Sequence, residues 1–415
     1  MDALRQALRD ATGMSDRTKQ TIPPVVVMAK NASGTIDIKE HYGYLSSKPD
    51  ATPIDFDTTM WGASITKLPA TVAAMQMVEK GLVDLDEDIT RVLPEWKDPK
   101  ILDGFEEGTG KPILRPSKKK MTLRHLLTHS SGMGYGIMTP SLEQYVNYMK
   151  IVPKGKSLVE LQDHSLLPLL FEPGEGWFYG FGIDWAGTVV ERISGCASLG
   201  EYFAKHIWGP LGLDEKDWTF HPQNDDFKKH PRVEMQVRQP DGSMKGIEKI
   251  PLPIPGLGDG TGEYDSGGAG LYMKPLDFFR ILESLMRNDE VLLKKETRDM
   301  MFVPQLEDNK YIMERIELVN KMLPPGNQHS QLMGLPIGTQ VNWGLGGMLM
   351  MDTVEGKRKK GTMWWGGMPN LFWWIDPTSK LTGFFATQMF PPGDGHVGKA
   401  RSHFEEAVYE ALRGQ

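Results

Sequence analysis

Strand-like runs lie at both ends of this 415-residue chain, with helical patterns between them. Near the start, residues 24–30 and 35–44 are rich in β-branched and aromatic residues, and Asn31-Ala32-Ser33-Gly34 joins them as a hairpin turn. Near the end, the runs 343–351, 360–367, 371–376 and 381–388 are separated by Gly, Pro, Asp and Asn. Strands must pair. The economical closure is an α/β (α+β) fold with one antiparallel sheet drawn from both termini. Helices at 2–12 and 398–412 would flank it, the latter with Ala400, Phe404, Ala407, Val408 and Ala411 on one face. A helix over 64–80 opens a helix-rich middle that runs to about 220. Residues 221–262 read as long loops with some strand, 275–287 as a helix, and 306–340 as irregular chain. The expected division is a discontinuous sheet domain, 1–60 and 255–415, with a mainly helical insertion, 61–254. The cleft between the two is the expected ligand site.

Hydrophobic residues make up 40% and charged residues 24%, enough for a sizeable core. The net charge of −7 leaves no basic surplus for phosphates, so nucleic acid is not an expected partner. Neither an apolar leader nor an 18-residue apolar run is visible, and the expected location is cytoplasmic, away from membranes. A single cysteine, Cys196, excludes an intrachain disulfide and a cysteine zinc cluster.

Ser64-Ile65-Thr66-Lys67 is the most chemical stretch. Positions i and i+3 share a helix face, so a serine hydroxyl and a lysine amine can meet there. A hydroxyl is a poor nucleophile until a neighbouring base activates it. Four residues alone also fit an N-cap serine followed by a surface lysine.

The context decides between these. Ala63 to Lys67 is followed by Gly81-Leu82-Val83-Asp84-Leu85-Asp86, and then by Met121-Thr122-Leu123-Arg124-His125-Leu126-Leu127-Thr128-His129-Ser130-Ser131-Gly132. This order resembles the serine β-lactamase and penicillin-binding superfamily. Tyr179-Gly180-Phe181-Gly182-Ile183-Asp184-Trp185 and Gly366-Gly367-Met368-Pro369-Asn370 are similar to the fungal lovastatin-type acyltransferases, with family VIII carboxylesterases close behind. The resemblance spans about residues 20–412. It implies the β-lactamase/transpeptidase-like fold, with Ser64 as nucleophile and Lys67 and Tyr179 moving protons. The backbone N–H groups of Ser64 and of Met368, or failing that Gly367, would form the oxyanion hole.

Three departures follow from the resemblance. Phe181 and Gly182 stand where relatives often carry an amide-binding Asn. Trp365-Gly366-Gly367 stands where lactamases carry a lysine strand. Both favour esters or thioesters over lactams, with Phe181, Gly182, Trp364, Trp365 and Gly366 expected to line the substrate. Pro69, inside the serine helix, predicts a kink beside the site. No metal or organic cofactor is expected, and a thioester donor would bring an acyl carrier protein or coenzyme A as partner. The competing readings are an amide-cleaving lactamase or D-amino-acid peptidase, a non-catalytic binding protein on this fold, and a metal hydrolase built on His125 and His129. The last lacks the glutamate of the zinc-protease pattern.

Overall fold

The computed structural model describes residues 1–136, 139–151, 166–224, 226–247, 264–322 and 333–414. Residue 225 and residues 248–262 of the stretch read as long loops lie outside them.

The central sheet has seven strands and draws on both termini. β1 (Val25–Asn31) and β2 (Asp37–Tyr42) form the N-terminal hairpin. Short pieces follow in the middle: β3 (Met60–Trp61), the β4–β5 ribbon (Lys100–Phe105, Pro112–Pro116), β6 (Trp218–Thr219), β7 (Met235–Arg238), β8 (Met244–Ile247) and β9 (Tyr272–Met273). Then come β10 (Val341–Trp343), β11 (Met348–Met350), β12 (Met363–Gly367), β13 (Leu371–Asp376), β14 (Leu381–Ala386) and β15 (Met389–Phe390). The sheet order is β10-β11-β12-β13-β14-β1-β2, antiparallel throughout. The expected single strand at 343–351 is two, reversed over residues 344–347, where Gly344, Gly346 and Gly347 permit the turn.

The helices are α1 (Asp2–Ala11), α2 (Lys67–Glu79), α3 (Leu123–Leu127), α4 (Pro140–Met149), α5 (Gly182–Ser194), α6 (Leu199–Phe203), α7 (Pro275–Arg287), α8 (Lys295–Met301), α9 (Lys310–Met322) and α10 (Gly395–Arg413). Every residue of β13 and β14 is buried, because helices cover both faces of the sheet. Leu4 and Leu8 of α1 and Phe404 and Val408 of α10 pack with Val25, Val27, Trp374 and Phe385. Phe278, Ile281 and Leu282 of α7 pack with Val26, Met28, Trp373 and Phe384 on the other side. Successive strand residues point to opposite faces, which is how each strand feeds both layers. A fully buried pair, Arg358 with Glu405, ties α10 down through an N–H···O bond of 2.8 Å.

Two local expectations change. The stretch expected to be irregular contains α9, whose Ile312 and Ile316, one turn apart, are buried in the α1/α10-side core. Pro69 produces no kink inside a helix. The chain runs as a 3₁₀ turn over Ala63–Thr66, and α2 starts at Lys67, so Pro69 occupies the first turn, where its missing N–H costs nothing.

Candidate active site

β3 delivers the chain to the serine turn. Gly62 donates its N–H to the Leu271 carbonyl at 2.8 Å. Ala63 then takes φ +47°, the left-handed region that an L residue enters only under constraint. The constraint is visible. The Thr66 hydroxyl donates to the Ala63 carbonyl at 2.6 Å and accepts the Leu271 N–H at 3.1 Å, which locks the turn to the chain entering β9. Ser64 is half-buried at the head of this turn.

Lys67 is wholly buried. Its amine donates to Ser64 Oγ at 3.5 Å, to Tyr135 Oη at 3.2 Å and to the Gly268 carbonyl at 2.6 Å. Three acceptors match the three donors of an ammonium group. The same nitrogen lies 4.7 Å from the centre of the Tyr179 ring. The Tyr179 hydroxyl oxygen accepts the indole N–H of Trp365 at 3.2 Å. Ser64 and Lys67, Tyr179, and Trp365, drawn from three distant parts of the sequence, therefore meet in one cluster.

Sequence reasoning misses Tyr135. Its one signal is a place three residues after Gly132, at the end of the 121–132 motif. Its phenol is driven well above its ordinary value by burial, with the Asp184 charge adding to the effect, so it stays protonated. His129 packs on the Tyr179 ring, with centroids 4.5 Å apart, and its Nδ1 accepts the Gly180 N–H at 3.4 Å. Burial and the Lys67 charge push its imidazole well below the usual range, and it stays neutral. The His125 side chain is a helix cap. Its Nδ1 accepts the Thr122 N–H in a capping box at the start of α3. The two histidines thus turn to separate partners, because α3 ends at Leu127, before His129.

The end of β12 closes on the serine turn. A Cβ on Gly367 would collide with the Gly62 carbonyl oxygen, so only glycine permits this approach. Met368 follows and packs with Trp61, Ala63 and Tyr272. Other expected substrate residues lie elsewhere. Trp364 is fully buried on the α10 side with Arg358 over its ring, since neighbouring strand residues face opposite ways. Phe181 is buried edge-on against Tyr135, and Gly182 abuts the Leu126 carbonyl, so both are packing positions. Gly366 faces Met333. Trp365 remains half-buried beside Tyr179.

A family profile described as Beta-lactamase matches residues 17–407. The chain belongs to the Beta-lactamase family. Within this family it resembles enzymes that move acyl groups. The ML-236A carboxylate methylbutanoyltransferase of Penicillium citrinum is 34% identical, over 94% of this chain and 91% of its own. The Lovastatin esterase of Penicillium rubens is 34% identical, over 94% and 96%. A solved structure of simvastatin synthase from Aspergillus terreus, a mutant form, superposes with TM-score 0.86 at 32% identity, covering 100% of this chain and 99% of that one. The chain is accordingly an enzyme of the acyltransferase and esterase members of the Beta-lactamase family.

Proposed function

We propose that this enzyme transfers an acyl group from a carboxylic ester or thioester, through an ester on Ser64 Oγ, to an acceptor alcohol or to water. The observation that carries the reading is the Lys67 amine, buried and bonded at once to Ser64 Oγ and Tyr135 while lying over the Tyr179 ring.

The two tyrosines divide the work. Burial keeps Tyr135 a neutral phenol that fixes the amine. Tyr179 receives an indole N–H on its oxygen and the Lys67 amine over its ring, within reach of the same cluster as Ser64. Tyr179 is then the base. Ser64 Oγ attacks the acyl carbon as its proton passes to Tyr179. The carbonyl π electrons move to oxygen, held by the N–H groups of Ser64 and of Met368 or Gly367. Collapse breaks the bond to the leaving alcohol or thiol, which takes the proton from Tyr179. The acceptor repeats the sequence in reverse.

The relatives named as methylbutanoyltransferases and as an esterase point to a short or medium acyl group and a bulky alcohol. A thioester donor on coenzyme A or an acyl carrier protein fits the same chemistry. The working location we infer is the cytoplasm. The absence of a lysine on β12, with Trp365-Gly366-Gly367 in its place, leaves a lactam carboxylate without a cationic partner. The test is intact-mass spectrometry after exposure to a panel of activated esters. Wild-type protein should gain one acyl mass, located on Ser64, and folded Ser64→Ala should gain none. Equal labelling of the two proteins would overturn the mechanism.

A further inference from the structure

Lys67 lies wholly in the interior, and its three hydrogen-bond partners, a hydroxyl, a phenol and a carbonyl, are all neutral. A buried ammonium needs a counter-charge to persist. The path from the amine leads to one. The Gly268 carbonyl that accepts from Lys67 belongs to the Gly268–Ala269 peptide. The N–H of that same peptide donates to Ser266 Oγ at 3.1 Å, shared with the Ser266 carbonyl at 3.3 Å. The Ser266 hydroxyl in turn donates to Asp184 Oδ1 at 2.6 Å. Asp184 is buried on α5 and also accepts the Gly268 N–H at 3.0 Å and the Tyr264 hydroxyl at 3.1 Å. Every donor along this chain points from the lysine toward the carboxylate. Aligned hydrogen bonds polarise one another, so the ammonium at one end and the carboxylate at the other strengthen the links between them.

We propose that Asp184 is the counter-charge and positioning residue of Lys67, acting through the Ser266 hydroxyl and the Gly268–Ala269 peptide. This rests on the reading of Lys67 as the ammonium beside Tyr179. Gly268 is the joint, because a Cβ there would collide with the Asp184 carboxylate. Asp184 also explains why the loop 264–268 holds its shape: three donors from it converge on a single carboxylate oxygen.

The ionisable groups around the pair are few. Tyr135, Tyr179 and His129 face Lys67, and Tyr264 faces Asp184. Burial holds Tyr135 and Tyr264 well above, and His129 well below, their ordinary values. Glu191, further along α5 and raised to about 7 by burial, acts on the acidic side of the profile. On this reading Tyr179 acts as base, so the alkaline limb of acylation is the loss of the proton from the Lys67 amine.

Removing a nearby negative charge makes an ammonium easier to deprotonate. Asp184→Asn, which keeps the shape and an acceptor oxygen, should move the alkaline limb of the acylation rate to lower pH by about one unit. The acylation rate at its maximum should fall about 10-fold. Ser266→Ala cuts the chain but leaves the carboxylate, and should shift the limb the same way by less. The measurement is the pH profile of single-turnover acylation by an activated ester, paired with NMR titration of ε-¹³C-lysine-labelled protein. The NMR arm reads Lys67 directly, so the relay is tested even if Ser64 takes no acyl group, and the two readings fail separately. Folded Asp184→Asn with an unmoved Lys67 titration would overturn the proposal. If that variant does not fold, Ser266→Ala decides, and an unmoved titration there would overturn it equally.

Discussion

The indole N–H of Trp365 points at the phenolic oxygen of Tyr179, 3.2 Å away. A donor aimed at that oxygen stabilises negative charge that develops there in the transition state, and hydrogen bonds to charged groups are among the strong ones. Trp365→Phe keeps an aromatic ring and removes only this donor. It should lower kcat by about 10- to 100-fold, with KM little changed. A kcat equal to wild type would show that the contact is packing alone.

The tyrosines should separate cleanly. Tyr179→Phe should slow acylation by about 10²–10⁴-fold, as expected for a lost general base. Tyr135→Phe removes one of three ammonium partners and should cost about 10-fold. Lys67→Ala combined with Tyr179→Phe should be far less impaired than the product of the single losses, because the groups act as a unit. If Tyr135→Phe were the more damaging of the two, the base would be Tyr135. Stopped-flow acylation resolves these cases.

Partition of the acyl-enzyme is the third expectation. Bulky acceptor alcohols should divert the acyl group from water into a new ester, and nitrocefin should turn over poorly. Product ratios against acceptor concentration measure the first, and absorbance the second. Efficient nitrocefin hydrolysis without ester turnover would reverse the substrate assignment.

The lead-in to Tyr179 is pinned by Glu172. Burial alone would raise its carboxyl, but Arg115, the Ser117 hydroxyl and the N–H groups of Lys118 and Lys119 outweigh it and hold the group at about 2. Its stabilisation is complete above the unfolded value of about 4.3 and is lost as pH falls toward the folded one. Glu172→Gln should destabilise by about 1–3 kcal/mol at neutral pH, with the difference shrinking between pH 4 and 2. Urea unfolding at several pH values checks this. A difference that does not change with pH would point to shape, not charge.

Glu405 faces a harsher loss. Glu405→Gln leaves the Arg358 guanidinium buried without its carboxylate, which typically costs about 3–5 kcal/mol. Thermal unfolding should show a lowered Tm, and an unchanged Tm would mean that α10 is held by its apolar face alone.

Much of this was legible in the sequence. The terminal strand runs, α7 and α10 announce themselves by periodicity and punctuation, and Ser64, Lys67 and Tyr179 by ordered motifs. What stayed hidden has physical causes. β10 and β11 read as one run because the reversal at Gly344–Gly347 interrupts apolar residues without a polar break. α9 buries Ile312 and Ile316 while Tyr311 and Leu318 stay exposed, so apolar letters fall on more than one side of it and mark no clear face. Trp364 and Trp365 look equivalent as letters, and only the register of β12 sends one to the core and the other to Tyr179. Tyr135 and Asp184 act through partners more than 60 residues away, Lys67 for the first and Ser266 and Gly268 for the second, and no local pattern encodes such meetings.

The pairing of β14 with β1 joins parts of the chain that are far apart in sequence. Val26 of β1 pairs with Ala386 of β14, so β1 waits for a strand synthesised much later before its inner edge is satisfied. Until then the nascent chain carries an open apolar strand edge, a liability for aggregation that a chaperone would have to shield. A chain stopped short of β14 would therefore lose the site along with the sheet, even though Ser64, Lys67 and Tyr179 had all been translated long before.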